Sequence, residues 1–322
     1  MNLSWRKQIV LITLSIGVIF AATNCDKNPA DPDEMLTDVS AIETLVANDP
    51  DIFHEMGIDD NGAQSPSYSG SSIPKATDEI NTIRFGRRGY NHLISIDIDF
   101  FGPPEGPDTM AIATITRSFD GKFIAVEKDT NQSTPEDFII YEKDMVNGIV
   151  RKAKFRRINF TNNPLNNWKL VEVSMAEGQS DPTTISFDEV TIEAPNMEPI
   201  IITSPLDYFM NRREGIPTFS PGDTVKVYTT LNNINNYPPE PGTTLLLHFG
   251  VDRWMRRARR PFNDAGFYPD QIAGDGIFSG FWVAQHRPGI YHAVVDAIDN
   301  GTIYDDVAPY NSYGWGTVYK IE

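Results

Sequence analysis

Cysteine is almost absent from this chain: Cys25 is the single one in 322 residues. With one thiol there is no internal disulfide and no thiolate zinc site, and little scope for a cysteine nucleophile. Positive charge is also scarce, 27 Lys and Arg against 44 Asp and Glu, a formal net charge of −17. A surface this acidic repels phosphate backbones, which argues against nucleic acid as a partner. The five histidines are His54, His92, His248, His286 and His292. No two of them have the i, i+4 zinc spacing around a Glu, and neither a G-x-S-x-G elbow nor a P-loop occurs. No apolar run reaches the ~20 residues that cross a bilayer as a helix. A repeat of solenoid or propeller period is missing too. What the chain does have is 23 Gly, 23 Pro and 11% aromatic residues, a composition suited to turn-rich β-structure.

The lone cysteine stands where an apolar stretch meets an acidic one. Arg6 and Lys7 precede a short apolar run, Ile9 to Ala22, and Ala21, Ala22 and Thr23 are small. A basic head, an apolar core and a small-residue exit make a secretory signal peptide over residues 1–24. An apolar residue and small residues ahead of Cys25 resemble the lipobox of bacterial lipoproteins, with Asn24 departing from the usual Gly, Ala or Ser. The resemblance implies that Cys25 becomes the mature N-terminus, acylated on sulfur and amine, and that several acyl chains hold it to a membrane. Removing Arg6 and Lys7 with the leader takes the formal charge from −17 to −19. Residues 25–35, acidic and broken by Pro29 and Pro32, read as a tether.

A helix is expected next, from Leu36, Val39, Ile42, Leu45 and Val46, ending at Asn48-Asp49-Pro50. Ser40 and Glu43 have capping-box spacing. A further helical turn would place Ile52, Phe53 and Met56 on one side, followed by a polar loop over Asp59 to Glu79. From Arg84 the period becomes two. Ile94, Ile96, Ile98 and Phe100 alternate with Ser95, Asp97 and Asp99, which puts the two aspartates on the solvent face. Asp120-Gly121 reads as a hairpin turn between two strands. In "GIVRKAKFRRINF" Val150, Lys152, Lys154 and Arg156 oppose Arg151, Ala153, Phe155 and Arg157. One helical segment followed by long antiparallel strands is an α+β arrangement. Arg151, Ala153, Phe155, Arg157, Trp168, Leu170 and Val173 are similar to late strands of the nuclear transport factor 2-like (cystatin-like) superfamily. That resemblance, over residues 36–193, implies a helix in the concavity of a curved sheet, a frame that in some members houses isomerases or dehydratases.

"EAPNMEP" provides a linker over 194–199, and residues 200–322 carry six candidate strands separated by turns such as Pro221-Gly222-Asp223 and Pro288-Gly289. This density suits a sandwich. Asp264, Gly266, Asp270, Ala273 to Gly276, Phe278, Trp282, Pro288, Gly289, Tyr291, Val295, Ala297, Asp299 and Gly301 resemble immunoglobulin-like modules of bacterial surface proteins. The expected fold is therefore mainly β in two domains, an N-terminal α+β domain and a C-terminal immunoglobulin-like β-sandwich.

Two clusters carry possible chemistry. Asp264, Asp270 and Asp275, among flexible glycines, could give calcium its oxygens, or could simply close turns on their own backbone. Arg253, Arg256, Arg257, Arg259 and Arg260 concentrate guanidinium groups in an acidic chain. They could grip an anionic glycan or an envelope protein, dock onto the acidic first domain, or protect a strand edge. The expected function is a lipid-anchored, non-catalytic binding or structural protein of the bacterial cell envelope, at the outer membrane. The alternative is a small-molecule-binding or isomerase-type first domain displayed on a sandwich spacer. An open cavity holding Asp or His would favour the alternative, and a filled one the scaffold.

Overall fold

The start of the first helix is set by its first turn. Thr37 is the N-cap: its Oγ1 accepts the Ser40 N–H at 3.2 Å, while Ser40 Oγ accepts the Thr37 N–H at 2.9 Å. This reciprocal box satisfies amides that a helix start otherwise leaves orphaned. It sits one turn earlier than the Ser40–Glu43 spacing implied. The helix, α1 (Asp38–Ala47), buries Ala41, Ile42 and Val46, and after Asn48 the chain re-enters a short turn, α2 (Pro50–Phe53), that buries Ile52 and Phe53.

The computed structural model describes residues 37–53, 80–128, 138–235, 237–238, 241–250 and 257–322, with the Arg257 side chain excepted. Cys25, the tether, His54, Met56, the Asp59–Glu79 loop, Arg253 and Arg256 lie outside them. All described residues belong to the compact unit Leu36–Glu322. No helix among them is long and apolar enough to cross a membrane.

The chain is mainly β. The first half supplies β1 (Thr82–Phe101), β2 (Met110–Lys128), β3 (Phe138–Arg157), β4 (Trp168–Ser180) and β5 (Ile185–Glu193). The second supplies β6 (Ile200–Ile202), β7 (Phe209–Asn211), β8 (Thr218–Phe219), β9 (Thr224–Asn233), β10 (Thr243–Gly250), β11 (Arg257–Pro261), β12 (Phe278–Val283), β13 (Gly289–Asp299), the short α3 (Asn300–Tyr304) and β14 (Ser312–Ile321). The larger sheet runs β1-β2-β3-β4-β14-β13-β10-β11, with β7 on β4 and β8 on β14. The smaller one runs β12-β9-β5-β6.

Two expectations are corrected by these pairings. The expected linker at 194–199 is a hairpin connection, because β5 and β6 on either side of it pair antiparallel, Val190 opposite Ile202. Its Pro and Asn serve a turn, with Asn196 at φ 61°. The large sheet also ignores that boundary, since β4 hydrogen-bonds to β14, Tyr313 opposite Gln179. The expected hairpin at Asp120-Gly121 is the middle of β2. There Gly121 lies opposite both Gly89 and Met145, and a Cβ on it would come 2.1 Å from the Arg88 carbonyl oxygen. Glycine permits close strand approach at this point, beside a bulge in β1 between Gly89 and Asn91.

Alternation decides what β3 and the end of β1 bury, whereas β10, β13 and β14 are buried on both faces. Odd residues of β3 from Lys143 to Phe155 face inward, and Lys152, Lys154 and Arg156 stand on the other face, as the period-two pattern implies. Ile96, Ile98 and Phe100 of β1 pack against the core while Asp97 and Asp99 are exposed. The smaller sheet packs face to face on β14, β13 and β10. Trp282 of β12 is the centre of this contact, meeting Phe249 at 6.2 Å and Tyr319 at 5.4 Å between ring centroids. On its opposite face the large sheet curls, so that β1–β3 close over β13 and a second core forms around Phe85, Phe123, Met145, Val294, Ile298 and Tyr310.

The helical segment is held in this curl by its ends. Asp38, in the first turn of α1, takes the Arg157 guanidinium and accepts the Trp168 indole N–H at 2.8 Å. The carbonyls that end α2 each meet a side-chain donor: His292 Nε2 at 2.9 Å for Asp51, Arg151 for Ile52, and Arg117 at 2.5 Å for Phe53. Acid at the start of α1 matches its helix dipole, and the side-chain donors satisfy the carbonyls that the end of α2 leaves open. Arg151, Ala153, Phe155 and Arg157 therefore form one inward row: two arginines hold the helical ends and the apolar pair packs between them.

Candidate functional site

The deepest concentration of charge joins residues far apart in sequence. Asp296 on β13 accepts Arg87 Nη1 at 2.6 Å and Nη2 at 3.0 Å, and the His248 ring lies 3.0 Å from the same carboxylate. The Arg87 and Asp296 side chains are 0% and 3% exposed, so the fork-to-fork pair is sealed from water. Tyr310 adds its ring 5.6 Å from the guanidinium, and its hydroxyl links Asn147 at 3.0 Å to Ser312 at 2.7 Å. Burial alone would push the Asp296 carboxyl up, but Arg87 and the His248 bond outweigh it and hold it well below the usual carboxylate range. Burial pushes the Tyr310 phenol up. This network is a sealed clamp between β1, β10 and β13, whose carboxylate is committed to two cationic or donor partners. His248 lies within an expected second-half strand, whereas no local sequence pattern links Arg87 to Asp296.

A second buried cation lies nearby. Lys143 Nζ donates to the carbonyls of Gly301 (3.1 Å) and Asp305. Burial lowers its pKa to about 8 against the opposing pull of Asp305, Asp306 and Asp299.

Of the arginine run, Arg259 and Arg260 have described side chains. They stand on β11, the end strand of the large sheet, paired to β10 alone among the described strands. Arg260 lies over the Phe281 ring at 4.5 Å, thus lying across from one sheet to the edge of the other. Cationic side chains on an end strand are one of the ways a sheet edge resists pairing.

The three aspartates do converge: one carboxylate oxygen from each of Asp264, Asp270 and Asp275 lies within 4.8 Å of the others. Each is already engaged by backbone. Asp264 accepts the N–H groups of Gly274 (2.9 Å), Asp275 (3.2 Å) and Gly276 (3.1 Å). Asp270 accepts from Gly266 and Ile272, and Asp275 from Ile277. Gly266, Gly274 and Gly276 sit at φ between 73° and 80°, conformations that glycine adopts without strain. The oxygens are of the kind calcium takes, but a cation there would share them with these amides. Loop closure is the work they visibly perform.

Beside this loop opens a cleft of about 1140 Å³ between the ends of β9 and β10, lined by Asn232, Asn263, Thr244, Asp264, Phe278 and Tyr304 among others. Its walls offer amides, hydroxyls and aromatic rings, a surface that can hydrogen-bond and stack on a ligand.

Comparison with protein families, with characterised proteins and with solved structures finds no match for this chain.

Proposed function

We propose that the chain is a lipid-anchored binding or structural protein of the bacterial envelope, held through Cys25 at the outer membrane and without catalytic activity. The supporting observation is the filled concavity. Where an isomerase-type domain would keep an open cavity around a basic Asp or His, the curl of β1–β4 is packed with Ile42, Ile52 and Phe53 from the helical segment. The Asp and His side chains it encloses are engaged: Asp296 and His248 with each other and, through Asp296, with Arg87, and His292 with the Asp51 carbonyl. A scaffold fits this better than an enzyme. In this reading the two facing sheets are an immunoglobulin-like support, completed by β5 and the end of β4 from the first half. The amide-lined cleft presents a surface for an envelope glycan or protein, with calcium at most an accessory to the adjacent aspartate loop. Intact-mass analysis of the protein purified from bacterial membranes tests the anchor. The expected species begins at Cys25 and carries the added mass of a diacylglyceryl group and an amide-linked acyl chain. An unmodified chain cut near Ala22, or a Cys25→Ser variant that remains in the membrane fraction, would contradict it.

A further inference from the structure

A separate concavity of about 490 Å³ lies on the outer face of the large sheet, where β2, β3, β4 and the turn after β7 meet. Register builds it. Met110, Arg156 and Lys169 stand side by side on neighbouring strands. The Arg212 N–H bonds the Val171 carbonyl at 2.8 Å and brings Arg212 and Arg213 to the rim. The turn is fixed in place: Asn211 Oδ1 accepts the Arg213 N–H at 3.0 Å, and Lys320 Nζ donates to the Arg213 carbonyl at 2.9 Å. A side chain at Gly215 would put its Cβ 2.3 Å from the Asn211 nitrogen, so the tight return needs glycine.

Charges on this face are matched up to the groove and then cease to be. Lys152 meets Asp207 at 3.6 Å, Lys154 meets Glu172 at 2.7 Å, and Arg212 meets Asp49 at 3.3 Å. Around the opening, Arg156, Lys169 and Arg213 form no ion pair with a described carboxylate, and Glu214 is the one lining carboxylate outside an ion pair. Arg156 and Lys169 are direct cross-strand partners. Like charges so placed oppose folding. Solubility does not call for them in a chain of net charge −17. Local rules are broken in this way where a ligand supplies what is missing.

We propose that this groove binds an oligoanion through its phosphate groups, spanning Arg156, Lys169 and Arg213. Guanidinium forks match phosphate oxygens and a lysine adds a mobile point charge. Three cations outside ion pairs against the one carboxylate of Glu214 leave an excess of two positive charges in a space of small-ligand size, which calls for more than one negative group. The same chemistry is offered by a soluble phosphate oligomer and by phosphorylated headgroups at a membrane. The proposal does not depend on the Cys25 anchor.

Calorimetric titration of the full chain, solubilised in non-ionic detergent, with sodium tripolyphosphate is the test. One saturable site is expected, weakening as salt rises from about 50 to 300 mM because exposed charge pairs are screened. Arg156→Gln/Lys169→Gln should weaken binding by about tenfold or more, the worth of a lost charge-assisted contact. Arg213→Gln, on an exposed turn, should weaken it in the same direction, and Arg259→Gln/Arg260→Gln on β11 should leave it unchanged. The groove variants should melt at or above the wild-type temperature, since they relieve like-charge contact, so a loss of binding cannot be ascribed to unfolding. Co-sedimentation with phosphatidylglycerol vesicles separates the sources. The Cys25 acyl chains partition into any vesicle, so the readout is binding to phosphatidylglycerol in excess of that to phosphatidylcholine vesicles. Loss of this excess in the groove variants identifies headgroups, and tripolyphosphate binding without it identifies a soluble ligand. Neither saturable tripolyphosphate binding nor such an excess, or equal weakening by the β11 variant, overturns the proposal.

Discussion

Replacing Arg87 with Met leaves the Asp296 carboxylate buried with His248 alone. Removing one partner of a buried ion pair costs about 3–5 kcal/mol, because the remaining charge is neither hydrated nor neutralised. The upper part of that range applies here: both side chains are almost fully buried, and two hydrogen bonds of 2.6 and 3.0 Å disappear together. The double variant Arg87→Met/Asp296→Leu removes both charges and should recover much of the loss, so the two substitutions are strongly non-additive. Urea denaturation of wild type, both single variants and the double variant gives the coupling energy, provided the slopes agree. The pair also dictates an acid response. The Asp296 pKa is depressed on folding, so its contribution is complete above the unfolded value of about 3.9 and is lost as pH falls from there through the folded value. Acid should therefore destabilise wild type more steeply than the double variant below about pH 4. A cost below about 1 kcal/mol for Arg87→Met, the scale of an exposed pair, would mean that β1 does not close over β13.

Two further outcomes follow from single groups. The Lys143 amine, at about 8 in the folded protein, lies below the unfolded value of about 10.4. Stability from this group should thus rise with pH between those values, because the unfolded chain there binds the additional proton. An NMR titration of labelled lysine side chains should show one midpoint near 8, and only midpoints above 10 would contradict the burial. Asp264→Ala removes the acceptor for three backbone amides of a partly exposed loop. It should cost about 1–3 kcal/mol and speed amide exchange at Gly274 to Gly276. An unchanged exchange pattern would show that the carboxylate does not hold the loop, and a calcium-dependent rise in melting temperature confined to the wild type would show a metal role beyond it.

Local periodicity made much of this architecture legible. The opposed faces of "VRKAKFRR" and the outward Asp97 and Asp99 follow from a side-chain period of two, which is a property of single strands, and the second-half strands were legible from the turn residues that separate them. Asp120-Gly121 misled because the Asp-Gly pair that favours a tight turn also provides the missing Cβ that close strand approach requires. "EAPNMEP" misled for a related reason, since Pro and Asn suit a linker and a hairpin loop alike. The Arg87–Asp296 clamp spans 209 residues, and the groove cations come from three chain segments. Only the curl and register of the sheet bring them together, and a linear pattern holds no trace of either. The arginine run, by contrast, was conspicuous in sequence because its members are consecutive, yet the two with described side chains stand on an end strand.

Both sheets cross the middle of the chain: β4 pairs with β14 in the larger one and β5 with β9 in the smaller. Differential scanning calorimetry tests this most directly. Residues 36–322 should unfold in a single endotherm, with calorimetric and van't Hoff enthalpies in a ratio near one. Two separable endotherms, with fragments 26–195 and 196–322 each reproducing one of them, would show two independent domains and contradict the continuous sheet.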